Sequence, residues 1–124
     1  MKILLAANTE DARERLRGAT QVLGHQVLEA EEASTALDLL AMHHPDVALV
    51  VLEWELPRGG GKSVLEAVRA DERWRALPIL MLLPEDASVR AIEAFQAGAS
   101  ECVSQGATEQ DLTTRMLECL SRAA

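Results

Sequence analysis

The chain has no tyrosine, one phenylalanine (Phe95) and two tryptophans (Trp54 and Trp74). Aromatic platforms of the kind that stack on single-stranded nucleic acid are therefore excluded. A basic surface is missing as well. The 124 residues carry a net charge of −8, the wrong sign for neutralising phosphates. Arg13, Arg15 and Arg17 do cluster, but they are interleaved with Glu10, Asp11 and Glu14 and read as a solvated helix face. No apolar run approaches the roughly 20 residues that span a bilayer. The apolar start, Met1-Lys2-Ile3-Leu4-Leu5-Ala6-Ala7, is short and meets charge again at Glu10, so it reads as a first strand rather than a signal peptide. Cys102 and Cys119 are too few for a disulfide framework and fit a reduced, cytoplasmic chain, where both are expected to pack as small hydrophobes. His25, His43 and His44 do not stand at ligand spacing from either cysteine, so no metal is expected there.

What is present is a repeating pattern. Hydrophobic residues make up 48% of the chain, enough for one packed domain over residues 1–124. The run Val47-Ala48-Leu49-Val50-Val51-Leu52 is rich in β-branched residues and too short for a membrane span. It predicts a strand buried on both faces, as in a parallel sheet covered by helices. Similar strands are predicted at about 2–6, 26–30, 79–83 and 100–104. Helices are predicted at about 9–23, 34–43, 62–70, 86–97 and 108–122. The first has Asn8 or Thr9 as its cap and stops at Gly24, and the second turns Ala36, Leu37, Leu40 and Ala41 inward. Strand two alternates with polar residues and reads as more exposed. Strands alternating with helices imply right-handed βαβ units. The fold class is α/β: a five-stranded parallel doubly wound sheet, flavodoxin-like, strand order 2-1-3-4-5, with helices on both faces.

Several segments carry a family likeness. Leu49-Val50-Val51-Leu52-Glu53-Trp54-Glu55-Leu56-Pro57-Arg58-Gly59-Gly60-Gly61, Leu77-Pro78-Ile79-Leu80-Met81-Leu82-Leu83 and Ala97-Gly98-Ala99-Ser100-Glu101-Cys102-Val103 stand out. With the opening Lys2-Ile3-Leu4-Leu5, Asp11-Ala12-Arg13-Glu14-Arg15-Leu16 and Leu23-Gly24-His25, they resemble bacterial response-regulator receiver domains of the chemotaxis-regulator kind over almost the whole chain. A working receiver accepts a phosphoryl group on an aspartate that ends strand three; this chain has Glu53. The acid pair that holds Mg²⁺ after strand one corresponds to Ala7 and Asn8. The hydroxyl residue ending strand four corresponds to Leu83, the lysine ending strand five to Gln105, and the aromatic switch residue to Cys102. The resemblance thus implies a degenerate, pseudo-receiver variant with no cofactor.

The chemistry of these replacements points the same way. Mg²⁺ wants several oxygen ligands in near-octahedral geometry, and Ala7 offers none while Asn8 offers a neutral amide. Phosphoryl transfer depends on positioned positive charge, and Leu83 and Gln105 supply no cation. Glu53 is one methylene longer than aspartate, displacing the nucleophile by about 1 Å, which costs roughly 100-fold by misplacement alone. Glu53 is open to four readings: a solvated or hydrogen-bonded strand-end carboxylate, a mimic of the phosphorylated state, a ligand or metal group, or half of a paired acid site with Glu55.

Gly59-Gly60-Gly61-Lys62-Ser63 suggests a phosphate loop, because it follows a strand, opens a helix and ends Gly-Lys-Ser. The full pattern needs a glycine at Leu56, so a receiver loop whose glycines take positive φ is the plainer reading. Two functions remain. The leading one is a phosphorylation-independent signalling domain of a two-component or phosphorelay system, not an enzyme. It would bind a protein partner: a histidine kinase, a regulator, an output domain or a second copy. The family uses a face made by helix four, strand five and helix five, here with Arg90, Glu93, Glu101 and Asp111. The alternative is a small-ligand or nucleotide binder using Glu53, Glu55 and the 59–62 loop. Neither involves nucleic acid or membrane, and the domain either stands alone or forms part of a longer regulator.

Overall fold

The computed structural model describes residues 1–84 and 88–123. The elements are β1 (Lys2–Ala6), α1 (Glu10–Val22), β2 (Gln26–Ala30), α2 (Ala33–His43), β3 (Val47–Glu53), α3 (Gly60–Ala70), β4 (Ile79–Leu83), α4 (Ser88–Ala97), β5 (Glu101–Ser104) and α5 (Glu109–Ala123). A short 3₁₀ turn, Glu72–Trp74, precedes β4. All strand pairs are parallel and the order is β2-β1-β3-β4-β5, as the alternating pattern predicts.

Period-two alternation sorts the strand residues onto the two faces. Ile3, Leu5, Leu49, Val51, Leu80 and Leu82 face α1 and α5, meeting Leu16, Leu112 and Met116. Leu4, Val50, Leu52, Ile79, Met81 and Leu83 face α2, α3 and α4, meeting Leu40, Leu65 and Ala94. The central strands are buried on both sides, which is why β3 reads as an unbroken apolar run. β2 lies at an edge, and its Val27 and Leu28 are only half-buried.

Local signals set the helix ends. Thr9 is the cap of α1: its Oγ1 accepts the Ala12 amide at 3.2 Å, and Glu10 and Asp11 complement the helix dipole. Gly24 follows at φ +77°, a conformation that favours glycine. Helix α3 begins two residues before its predicted start, since Gly60 and Gly61 already belong to it. Residues 86–87 of the expected fourth helix lie outside the described residues. Ala41 is exposed, not inward. At 100° per residue, Ala33, Ala36 and Leu40 define the buried stripe of α2, and Ala41 falls beyond its edge.

Candidate functional site

The carboxyl ends of β1, β3, β4 and β5 converge where ligands collect in open parallel sheets. Register places Glu53 beside Leu82 and Leu83 beside Ser104, while Leu52 pairs with Ala6. The residues of interest are thus brought together by strand pairing.

Glu53 is only 4% exposed, so it is not a solvated carboxylate. Its Oε1 accepts the Asn8 backbone N–H at 3.2 Å, and its Oε2 has no partner among the described residues. Burial pushes the carboxyl pKa up; the Asn8 amide and the more distant charges of Arg13 and Arg15 work against that rise. Glu55, two residues on, is exposed, and its charge adds a minor upward push. The two acids therefore occupy different environments.

The surrounding positions belong to the scaffold. Ala7 is fully buried among the side chains of the α1/α5 face. Leu83 is 4% exposed and packs into the α2/α3/α4 face, on the opposite side of the sheet from Ala7. Gln105 is exposed and is held by its backbone: its amide donates to the Leu83 carbonyl at 2.7 Å, and its carbonyl accepts from Arg15 Nη2 at 3.0 Å. Cys102 is half-buried against the α2/α3/α4 core. Burial drives its thiol pKa up to about 11, so the thiolate that redox or nucleophilic chemistry needs is scarce at neutral pH.

The glycine loop is also committed to the fold. The Gly60 and Gly61 amides donate to the Leu56 and Trp54 carbonyls at 3.0 and 2.9 Å, leaving neither free to cradle a phosphate. A Cβ at Gly61 would lie 2.2 Å from the Glu53 carbonyl oxygen, so close backbone approach requires glycine there. Lys62 Nζ is 3.5 Å from Glu93 Oε2 and points toward α4. Half-buried Trp54 has the Arg90 guanidinium 5.7 Å from its ring centroid, a modest cation–π contact.

Two arginines were not legible as site residues. Arg13 is buried, not part of a solvated face, and its Nη1 donates to the Ala7 carbonyl at 2.7 Å. Arg15 Nη1 donates to the Ala107 carbonyl at 2.7 Å. One signal was available: Arg13 stands three residues before Leu16 and seven before Thr20, both buried, and so at the rim of the apolar stripe of α1.

The expected interaction residues divide into separate groups. Exposed Arg90 and half-buried Glu93 lie 3.9 Å apart on α4, next to Lys62 and Trp54. Glu101 is held by Arg122 at 2.7 Å and Arg115 at 3.9 Å. Asp111 borders a groove of about 510 Å³ that Val103, Ser104 and Arg115 also line. Sequence reasoning missed the apolar residues of α4: Val89, Ile92 and Phe95 are all exposed.

Among the described residues, no helix is long and apolar enough to cross a membrane. The response regulator receiver domain family matches residues 3–117. The chemotaxis protein CheY of Pseudomonas aeruginosa is 34% identical, with 98% of each chain covered. A CheY homolog of Campylobacter jejuni is 30% identical over 97% of this chain and 92% of its own length. A crystal structure of a putative response regulator from Chloroflexus aurantiacus superposes with a TM-score of 0.90 at 25% identity, covering 98% of both chains. Parallel strands in the order 2-1-3-4-5, a carboxylate at the tip of β3 and these matches together establish that the chain belongs to the response regulator receiver domain family of two-component signalling.

Proposed function

We propose that this chain is a pseudo-receiver: one receiver domain over residues 1–124 that accepts no phosphoryl group, catalyses no reaction and signals by binding a protein. The observation that carries this reading is the environment of Glu53. At the phosphoacceptor position stands a buried carboxylate with one backbone donor, and no hydroxyl or ammonium is hydrogen-bonded to it among the described residues. In-line attack needs an exposed nucleophile and preorganised positive charge on the phosphoryl oxygens. Leu83 turns into the core, and Gln105 carries no charge.

The Mg²⁺ that working receivers hold does not fit the residues present. Ala7 offers no side-chain ligand, and the Asn8 N–H directs a donor at Glu53, on the side where a cation would need oxygen. Phosphate mimicry by Glu53 lacks the groups that would read its charge. The exposed apolar residues of α4, in a fold that also exposes Arg90 and Asp111, favour protein recognition on the α4–β5–α5 face. The partner is a histidine kinase, another regulator, an output domain or a second copy, encountered in the cytoplasm.

Incubation with acetyl phosphate and Mg²⁺, followed by intact-mass measurement, tests the reading. The expected result is an unchanged mass. A gain of one phosphoryl group mapped to Glu53 refutes it.

A further inference from the structure

Receiver sites need positive charge beside the strand tips, and this one has lost both usual sources. The structure points to where that charge now comes from. We infer that two arginines of α1 are the resident cations of the site: Arg13 on the side where other receivers recruit Mg²⁺, and Arg15 on the side where they carry lysine. The inference rests on the pseudo-receiver reading and adds what holds the emptied site together.

Arg13 is 7% exposed, and its guanidinium is fully engaged. Nη1 donates to the carbonyl of Ala7, the first residue after β1, at 2.7 Å. Nη2 lies 2.9 Å from Glu10 Oε2 and 3.3 Å from Glu31 Oε1, and Nε lies 3.7 Å from Glu29 Oε1. One cation thus meets a carbonyl and three carboxylates drawn from the residue after β1, from α1, from β2 and from the residue after it. Arg17 pairs with Glu10 and Glu29 from outside, so Arg13 is the inner of two guanidinium groups. A planar guanidinium with a fixed fork of donors suits oxygens spread this widely, whereas a small divalent ion does not. Among the described residues, no three His, Cys, Asp or Glu side chains lie close enough to share a metal ion.

Arg15 works on the other side. Its Nη1 and Nη2 hold the carbonyls of Ala107 and Gln105 at 2.7 and 3.0 Å, tying the β5–α5 loop to α1. A family lysine in this position would reach toward the strand-three carboxylate from β5; here the cation comes from α1 and grips the β5–α5 backbone. Both arginine charges act on Glu53 in the direction that favours its ionised form, each by less than burial and the Glu55 charge oppose it. Both guanidinium groups are engaged by backbone carbonyls and, for Arg13, by carboxylates, so they compensate the scaffold's own charge and are not presented to a phosphoryl group.

The test compares metal response and loop protection in wild type, Arg13→Gln, Arg13→Lys and Arg15→Gln. Wild type is expected to show no melting shift when Mg²⁺ replaces Na⁺ at matched ionic strength. Mn²⁺ is expected to leave its Asn8, Glu29 and Glu31 amide resonances sharp. Arg13→Gln is expected to melt lower and to regain about 3–6 °C with Mg²⁺, since Glu31 loses its cation and Glu10 and Glu29 keep only Arg17. Arg13→Lys, which keeps the charge, is expected to remain metal-insensitive and covers the case in which Arg13→Gln does not fold. Arg15→Gln is expected to speed hydrogen exchange at residues 105–108 by at least about tenfold. Mn²⁺ broadening of wild type, metal sensitivity of Arg13→Lys, or an Arg13→Gln protein as metal-indifferent as wild type overturns the inference. These outcomes leave the pseudo-receiver reading standing, which only phosphorylation of wild type in the mass assay overturns.

Discussion

Leu83→Thr restores the side chain that working receivers carry at the end of β4, and the structure says what this should cost. Leu83 is 4% exposed and packed in the α2/α3/α4 core with Met81 and Ala94. Removing one methylene-equivalent from such a site loses about 1 kcal/mol. Introducing a hydroxyl with no assured partner adds about 1–3 kcal/mol. The expected loss is therefore about 2–4 kcal/mol, a large share of the roughly 5–15 kcal/mol that stabilises a typical domain. With a urea slope of about 2 kcal/mol/M, the unfolding midpoint should fall by about 1–2 M. Equilibrium unfolding followed by circular dichroism measures this, and acetyl phosphate treatment of the same variant should leave its mass unchanged. A loss below about 1 kcal/mol with phosphorylation of Glu53 would show that Leu83 borders an open reaction pocket, and the reasoning would fail.

Two further outcomes follow from the same geometry. Because burial raises the Glu53 pKa above its unfolded value, the protonated folded form is favoured, and stability falls as pH rises from the ordinary carboxylate range through the raised value. Glu53→Gln should flatten that part of the stability–pH curve, and an unchanged slope in pH-dependent urea titrations would contradict the assignment. Gly61→Ala should destabilise by about 2–4 kcal/mol, because its Cβ meets the Glu53 backbone oxygen at 2.2 Å. A thermal melt within about 2 °C of wild type would mean that the loop relaxes freely.

The architecture was readable because its signals are local. The apolar run of β3, the capping Thr9 and the punctuating Gly24 each act over a few residues, and the observed strand order agrees with the reading. The identities Ala7, Asn8, Glu53, Leu83 and Gln105 were readable from alignment with the family's strand ends. Their environments were not. Spacing alone left Glu53 open to solvent, whereas the Asn8 amide and the neighbouring strands enclose it. Arg13 looked like one charge among many, because its partners lie in its own first turn, after β1 and at the end of β2. The phosphate-loop resemblance of residues 59–63 weakened once the amides of Gly60 and Gly61 proved to serve the turn itself.

By itself, the sequence determined which elements form and which side chains stand at the strand ends, since periodicity, capping and residue identity need no partner from elsewhere in the chain. Tertiary structure decided that Leu83 is core, that Glu53 is buried with one donor, and that Arg13 and Arg15 of α1 hold the Ala7 and Ala107 carbonyls. Those facts depend on groups up to 92 residues apart meeting across the sheet, and burial and charge compensation exist only once they have met.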